Sequence, residues 1–208
     1  LSSIESSGAD IGIVIADVSG KGVPAAFFMA ISRTVLQASA QDGGTPGACL
    51  ARANAALCAR NPMELFVTAF YGILDLDTGT LTYANAGHNP PLLAPQHGPV
   101  SPIPATGGVA MGVMPGLGYA ENTIRLNPGD TIVLYTDGIS EAMDGEGREF
   151  GEGRIEETLR SAALLPVDRV LTAVTGAVTA FVAGAPQSDD ITCLVVRYFG
   201  PPADAVAS

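Results

Sequence analysis

Three apolar stretches of the sequence each meet an aspartate where the stretch ends or begins, and this pattern constrains the fold more than any other feature. The aspartates are Asp17, Asp137 and Asp189. Residues 11–16 are continuously apolar, which predicts a strand buried on both faces. Because buried strands hold the residues at their ends in fixed positions, we expect carboxylates to be presented at the rim of a sheet.

The remaining patterns mix antiparallel strands with pairs of helices. Residues 25–40 are apolar around most of a helical circumference, which predicts a helix sandwiched between layers. Thr45 and Pro46 are typical of the start of a second helix. Further helices are predicted at 153–165 and 167–183. Strands are predicted at 65–76, 81–86, 92–93 and 191–198, and a hairpin at 124–126 and 131–135. Residues 95–118 are predicted to form a long loop. This order predicts an α+β layered domain.

The 208 residues carry a formal net charge of −11. Their number suits one domain, which we place at residues 1–200, followed by a flexible tail at 201–208. The negative charge disfavours nucleic acid and anionic membrane surfaces as partners. Without a signal peptide or a continuous apolar run of membrane-spanning length, the expected location is the cytoplasm. Because Leu1 is not an initiating Met, we expect an N-terminally truncated piece of a longer protein.

Common catalytic constellations are missing from the sequence. The three cysteines form no CxxC pair, which argues against a zinc ribbon or a disulfide scaffold and favours reduced thiols. His88 and His97 lack ligand spacing. The sequence has no GxSxG elbow, and the glycine-rich loop at 18–22 lacks the upstream glycine of a phosphate-binding P-loop.

Aspartates at strand ends are suited to hard divalent cations. Mg²⁺ and Mn²⁺ prefer carboxylate, carbonyl and water oxygens, and clustered carboxylates repel one another unless a cation neutralises them. Each Asp motif alone is also explained by an ordinary turn, since Asp-Gly is a common turn sequence. The three motifs together favour a metal site.

Four strings carry a resemblance to a known family. They are IADVSGKGVPAAFFM at 15–29, YANAGHNPPLL at 83–93, LYTDGISEAMD at 134–144 and SDDITCLVV at 188–196. In this order they resemble the SpoIIE-type branch of the PPM (type 2C-like) metal-dependent protein serine/threonine phosphatases. The resemblance covers nearly the whole chain.

The resemblance implies two antiparallel β-sheets flanked by α-helices. It also implies hydrolysis of phosphoserine or phosphothreonine by metal-activated water, with Mn²⁺ or Mg²⁺. Asp17 would bridge two ions and the Val18 carbonyl would be a ligand. Asp137 and Asp189 would complete the metal and catalytic set.

Other residues receive supporting roles by the same resemblance. Residues expected to support the ligands or contact the substrate are Asp190, Lys21, Gly138 and Thr68. His88 is either a general acid or, as we favour, part of a turn held by side-chain hydrogen bonds with Asn85. Glu141 is expected to fix its loop rather than bind metal.

One departure concerns the number of metal ions. The family carries a further acidic motif on the strand before DVSGKG, and the residues before Ile11 do not show it. We therefore expect two ions in the intact domain, but one held more securely by this chain.

The family also suggests partners and alternatives. The expected substrate is a phosphorylated anti-sigma-factor antagonist in bacterial stress signalling, with a sensory or receiver domain upstream; a homodimer is one assembly the sequence allows. One alternative is a catalytically impaired phosphatase-like binding or regulatory module in the same pathway. Another is a small-molecule phosphohydrolase.

Overall fold

The computed structural model describes residues 2–7, 10–59, 61–185 and 189–201, with backbone only for 4–7. In chain order the elements are β1 (Ser2–Ser7), β2 (Asp10–Val18), α1 (Val23–Gln41), α2 (Pro46–Cys58), β3 (Val67–Asp75), β4 (Thr80–Ala86), β5 (Leu92–Ala94), β6 (Ser101–Pro102), β7 (Glu121–Arg125), β8 (Thr131–Tyr135), α3 (Asp137–Ser140), α4 (Glu152–Ala162), α5 (Val167–Val182) and β9 (Cys193–Arg197). They form two compact units: unit 1 comprises residues 1–88 and 104–125, and unit 2 comprises 89–103 and 126–208.

Unit 1 is built on a five-stranded antiparallel sheet in the order β1-β2-β3-β4-β7. Helices α1 and α2 pack on it around a core that includes Leu50, Leu57 and Met111. Strand β1 was not predicted, because its sequence SSIESS is too polar to indicate a buried strand. Asp10, predicted in a turn, is the first residue of β2.

Helix α1 corrects one prediction. It was expected to be enclosed, but it buries a single face that includes Phe28 and Leu36. Val23, Phe27 and Ile31 are 68%, 68% and 52% exposed. Their spacing of four residues places them on one stripe of the helix. Apolar composition around a helix therefore did not imply burial on all sides.

Helix α2 begins as predicted. Thr45 is its N-cap, and the Thr45 side chain accepts a hydrogen bond from the Ala48 amide at 3.5 Å. Pro46 follows as the first helical residue, where a missing N–H costs nothing.

Unit 2 contains a four-stranded antiparallel sheet in the order β6-β5-β8-β9. Helices α4 and α5 contact this sheet through a core that includes Val133, Ile155 and Val174. Strand β9, predicted at 191–198, is half-buried along its length. The predicted tail lies outside the described residues, apart from Pro201.

The predicted hairpin at 124–126 and 131–135 is wrong. Strand β7 pairs with β4 in unit 1, whereas β8 pairs with β5 and β9 in unit 2. The intervening turn is held by Asp130, whose carboxylate accepts hydrogen bonds from the amides of Asn127 at 2.8 Å and Gln96 at 2.9 Å. A short polar turn predicts a hairpin locally, but tertiary strand pairing decides the partners.

Cys49, Cys58 and Cys193 are free thiols. Burial raises the pKa of Cys49 to about 11 and that of Cys193 to about 12. Across the described residues, no helix has both the length and the apolar character needed to cross a bilayer.

Asn54, buried on α2, ties this helix to a distant loop. Its side chain accepts a hydrogen bond from the Gly112 amide and donates one to the Met114 carbonyl, both at 2.9 Å. We predict that Asn54→Ala lowers the free energy of unfolding by about 2–3 kcal/mol, because it removes a buried side chain and its two partly buried hydrogen bonds to the backbone. Urea denaturation measures this. Asn122→Ala, which removes one local bond to the Thr123 amide, should cost below about 1 kcal/mol; equal losses would contradict the assignment.

Candidate functional site

The first predicted ligand lies at the end of β2 in unit 1. Asp17 and Val18 are its last two residues, both half-buried, and they pair with Thr68 and Val67 of β3. The Thr68 hydroxyl lies 3.5 Å from the Asp17 carbonyl, to which it donates, and 3.0 Å from Nδ1 of His88. The strand register therefore fixes where Asp17 is presented.

The segment after Asp17 turns sharply into α1. Gly20 and Gly22 have φ values of 86° and 81°, a left-handed conformation that glycine adopts without strain. Ser19 is bonded to Phe66 twice: the Ser19 amide donates to the Phe66 carbonyl and the Ser19 hydroxyl accepts from the Phe66 amide, each at 2.9 Å. Lys21 is exposed in this turn.

His88 occupies the predicted turn. Its amide donates to the Asn85 side-chain oxygen at 2.7 Å, and the Asn85 side-chain nitrogen donates to the His88 carbonyl at 2.8 Å. The prediction of a turn held by side-chain hydrogen bonds is confirmed. The turn also fixes the imidazole beside Thr68.

Unit 2 brings the other two aspartate motifs together through Thr136. This buried hydroxyl donates to the Asp190 carbonyl and accepts from the Thr192 amide, both at 3.0 Å, while the Thr136 amide donates to the Thr192 carbonyl at 3.1 Å. Asp137, the first residue of α3, follows directly. We call these three hydrogen bonds the Thr136 clamp. The clamp holds the segment containing Asp189 beside Asp137.

Gly138 allows the close approach of these two segments. A Cβ at this position would collide with the carbonyl oxygen of Asp190, and it would lie 2.9 Å from the Asp190 carbonyl carbon and 3.3 Å from that of Asp189. Only a residue without a side chain leaves this space free.

The end of β8 has the electrostatics of a cation site. Oδ1 of Asp137 is buried and has no hydrogen-bond partner among the described residues. Burial raises the pKa of Glu141, and the negative charges of Asp137, Glu149 and Asp189 raise it further. A buried carboxylate oxygen without a hydrogen-bond partner is costly. Oδ1 of Asp137, with the carboxylate of Asp189 nearby, therefore fits a hard cation such as Mg²⁺ or Mn²⁺.

The predicted residues therefore divide between the two units. Unit 1 carries Asp17, Val18, Lys21 and Thr68, and unit 2 carries Asp137, Gly138, Asp189 and Asp190. In the described parts of the chain, no three His, Cys, Asp or Glu side chains are grouped as a metal site. The ligand assignments thus stay predictions. Sequence reasoning gave no role to Thr136, although it lies inside the motif LYTDG.

A solved structure identifies the class of fold. The SiaA-PP2C domain of Pseudomonas aeruginosa superimposes with a TM-score of 0.85 at 24% sequence identity, over 95% of this chain and 79% of that chain. The fold is accordingly that of the PP2C, or PPM, phosphatases. The predicted architecture of two antiparallel sheets flanked by helices is confirmed.

The family follows from the sequence match. Residues 7–199 match the family described as Stage II sporulation protein E (SpoIIE), and the chain therefore belongs to the SpoIIE family. It is 31% identical to phosphoserine phosphatase RsbU of Bacillus subtilis over 74% of this chain and 47% of that protein. It is 30% identical to protein IcfG of Synechocystis sp. over 89% of this chain and 33% of that protein. The chain thus spans a third to a half of these curated relatives.

Gly138 provides a test of this geometry. Gly138→Ala should lower the thermal unfolding midpoint by about 5 °C, because an overpacked methyl group must displace the Asp190 backbone. The matched control is Gly145→Ala, where an added Cβ meets nothing within 4 Å, and its midpoint should stay within about 2 °C. Differential scanning calorimetry measures both; equal midpoints for the two variants would contradict the close approach.

Proposed function

We propose that this chain is the catalytic domain of a metal-dependent protein serine/threonine phosphatase that hydrolyses phosphoserine or phosphothreonine. The observation that carries the proposal is the buried, unpaired Oδ1 of Asp137, held by the Thr136 clamp beside Asp189. Membership of the SpoIIE family supports it, as does the likeness to a relative that is named a phosphoserine phosphatase.

The proposed metal ligands are Asp17, the Val18 carbonyl, Asp137 and Asp189. All are oxygen donors, as Mn²⁺ and Mg²⁺ prefer. When bound, such ions supply a lowered pKa for coordinated water and neutralise the phosphate. Two ions are proposed for the intact domain, with one held more securely by this chain.

The chain's own residues would position this chemistry. Thr136 and Gly138 fix the distance between the Asp137 and Asp189 segments, while the pairing of β2 with β3 fixes Asp17. In the reaction, a water oxygen bonds to phosphorus, the bond from phosphorus to the serine oxygen breaks, and the serine oxygen takes up a proton. Asp190 and Lys21 are proposed to support the ligands or contact the phosphoprotein.

The wider context is also proposed. The substrate would be a phosphorylated anti-sigma-factor antagonist or a similar bacterial signalling protein in the cytoplasm. An upstream sensory or receiver domain would regulate the enzyme, with residues 1–200 acting as one phosphatase domain. The likeness to RsbU supports this context.

The proposed function predicts metal-dependent activity that requires the aspartates. With Mn²⁺, the chain should release phosphate from p-nitrophenyl phosphate and from a phosphoserine peptide. Asp137→Asn and Asp17→Asn should each lower kcat/KM by about 100-fold or more, since each removes a proposed ligand charge. EDTA should abolish the activity and added Mn²⁺ should restore it.

Asp168→Asn is the matched control, because this carboxylate is 79% exposed in the first turn of α5. Its kcat/KM should stay within about twofold of the unaltered chain. Undiminished turnover in both Asp17→Asn and Asp137→Asn would refute the proposal. Phosphopeptide binding without any turnover by the unaltered chain would instead support the regulatory module.

A further inference from the structure

Four large apolar side chains are exposed on two neighbouring segments of unit 1. Met63, Phe66, Val113 and Met114 are 59%, 41%, 53% and 51% exposed. We call these four residues the apolar rim. Exposed apolar side chains that occur together, rather than singly, are typical of interaction sites.

The two segments run side by side. Val67 and Met111 exchange both backbone hydrogen bonds, at 2.9 Å and 2.8 Å, in an antiparallel bridge. This register puts Phe66 alongside Gly112. Gly112 has a φ of 88°, and a Cβ there would lie 2.9 Å from the Leu65 carbonyl oxygen. The backbone segments that carry Phe66 and Val113 are therefore neighbours in unit 1.

Asn61 fixes the backbone beneath the apolar rim. Its side-chain nitrogen donates to the carbonyls of Leu65 at 2.6 Å and Gly112 at 3.1 Å, and its oxygen accepts from the Leu65 amide at 3.1 Å. Asn54 holds Gly112 and Met114 from the other side. The backbone that carries the apolar rim is thus fixed by hydrogen bonds, while its side chains are exposed. Such a preorganised surface loses less entropy when it binds a partner.

One member of the apolar rim, Phe66, contacts the segment that follows β2. Phe66 is bonded twice to Ser19, which is two residues after Asp17. In the β2–β3 register Asp17 pairs with Thr68, so Phe66 lies two positions away along the strand. Two positions correspond to about 7 Å. A group bound near Asp17 would therefore have Phe66 of the apolar rim as a neighbour.

We propose that the apolar rim docks apolar side chains flanking the phosphoserine of the protein substrate. The inference rests on the proposed function and adds a substrate preference to it. The chain carries a net charge of −11, yet all four residues of the rim are uncharged. Recognition would therefore come from apolar contact rather than from charge, and methionine side chains adapt readily to such partners.

Two phosphopeptides of equal length and charge test the docking. One carries leucine and isoleucine on either side of the phosphoserine, and the other carries serine and glycine. For the unaltered chain with Mn²⁺, kcat/KM should be higher for the apolar peptide by about tenfold or more. In the double variant Val113→Ser/Met114→Ser, the ratio of the two kcat/KM values should fall to below about twofold.

Leu164→Ser is the matched control, because Leu164 is a 72% exposed apolar residue of unit 2; it should keep the full ratio. A ratio near one for the unaltered chain, or an unchanged ratio in the double variant, overturns the docking proposal. A double variant that abolishes dimers in light scattering while keeping the ratio also overturns it, and makes the rim a contact between two copies.

Failure of the proposed function gives a different result. The unaltered chain would then turn over neither peptide, nor p-nitrophenyl phosphate. Calorimetric Kd values for the two peptides would still decide the docking: a tenfold preference that the double variant loses supports it, and equal Kd values overturn it.

Discussion

The hydrogen bonds of the Thr136 hydroxyl are the interaction on which the site proposed for unit 2 depends. One buried oxygen both donates and accepts, and it joins the residue before Asp137 to the backbone around Asp190. A hydroxyl is suited to this because it carries one donor and two acceptor lone pairs. Asp137 follows directly, and its buried Oδ1 has no hydrogen-bond partner among the described residues, an arrangement that is costly without a cation. The proposed metal site would account for this unpaired oxygen.

Unit 1 uses a different device for a similar task. Asp17 is positioned by strand register, with Thr68 opposite it and the Asn85–His88 turn behind Thr68. Two hydrogen bonds between Asn85 and His88 hold the turn, and the Thr68 hydroxyl 3.0 Å from Nδ1 of His88 orients the imidazole. Preorganisation of this kind reduces the reorganisation that a site must undergo when it binds its target.

Much of this could be predicted from the sequence, for physical reasons that differ by element. Helix α2 was predicted because its capping residues are local signals. The placement of Asp17 at the end of β2 and of Asp137 two residues after β8 followed from apolar runs that lead into a carboxylate. Strand β1 was not predicted because its polar sequence carries no strand pattern. It is part of the sheet only because it pairs with β2. The Thr136 clamp was not predicted because its partners lie more than fifty residues away, and no local pattern encodes such a contact.

The separation of β7 and β8 into different sheets has a consequence for the connectivity of the chain. The backbone passes between the two units at residues 88–89, 103–104 and 125–126. Neither unit is therefore one continuous stretch of polypeptide, and residues 89–103 of unit 2 are an insertion within unit 1. No single cut can release either unit intact. Each unit closes a loop through the other as it folds, so the entropy of chain closure is shared between them. Asp17 and Asp137 thus belong to units that are each completed by two separate stretches of the chain.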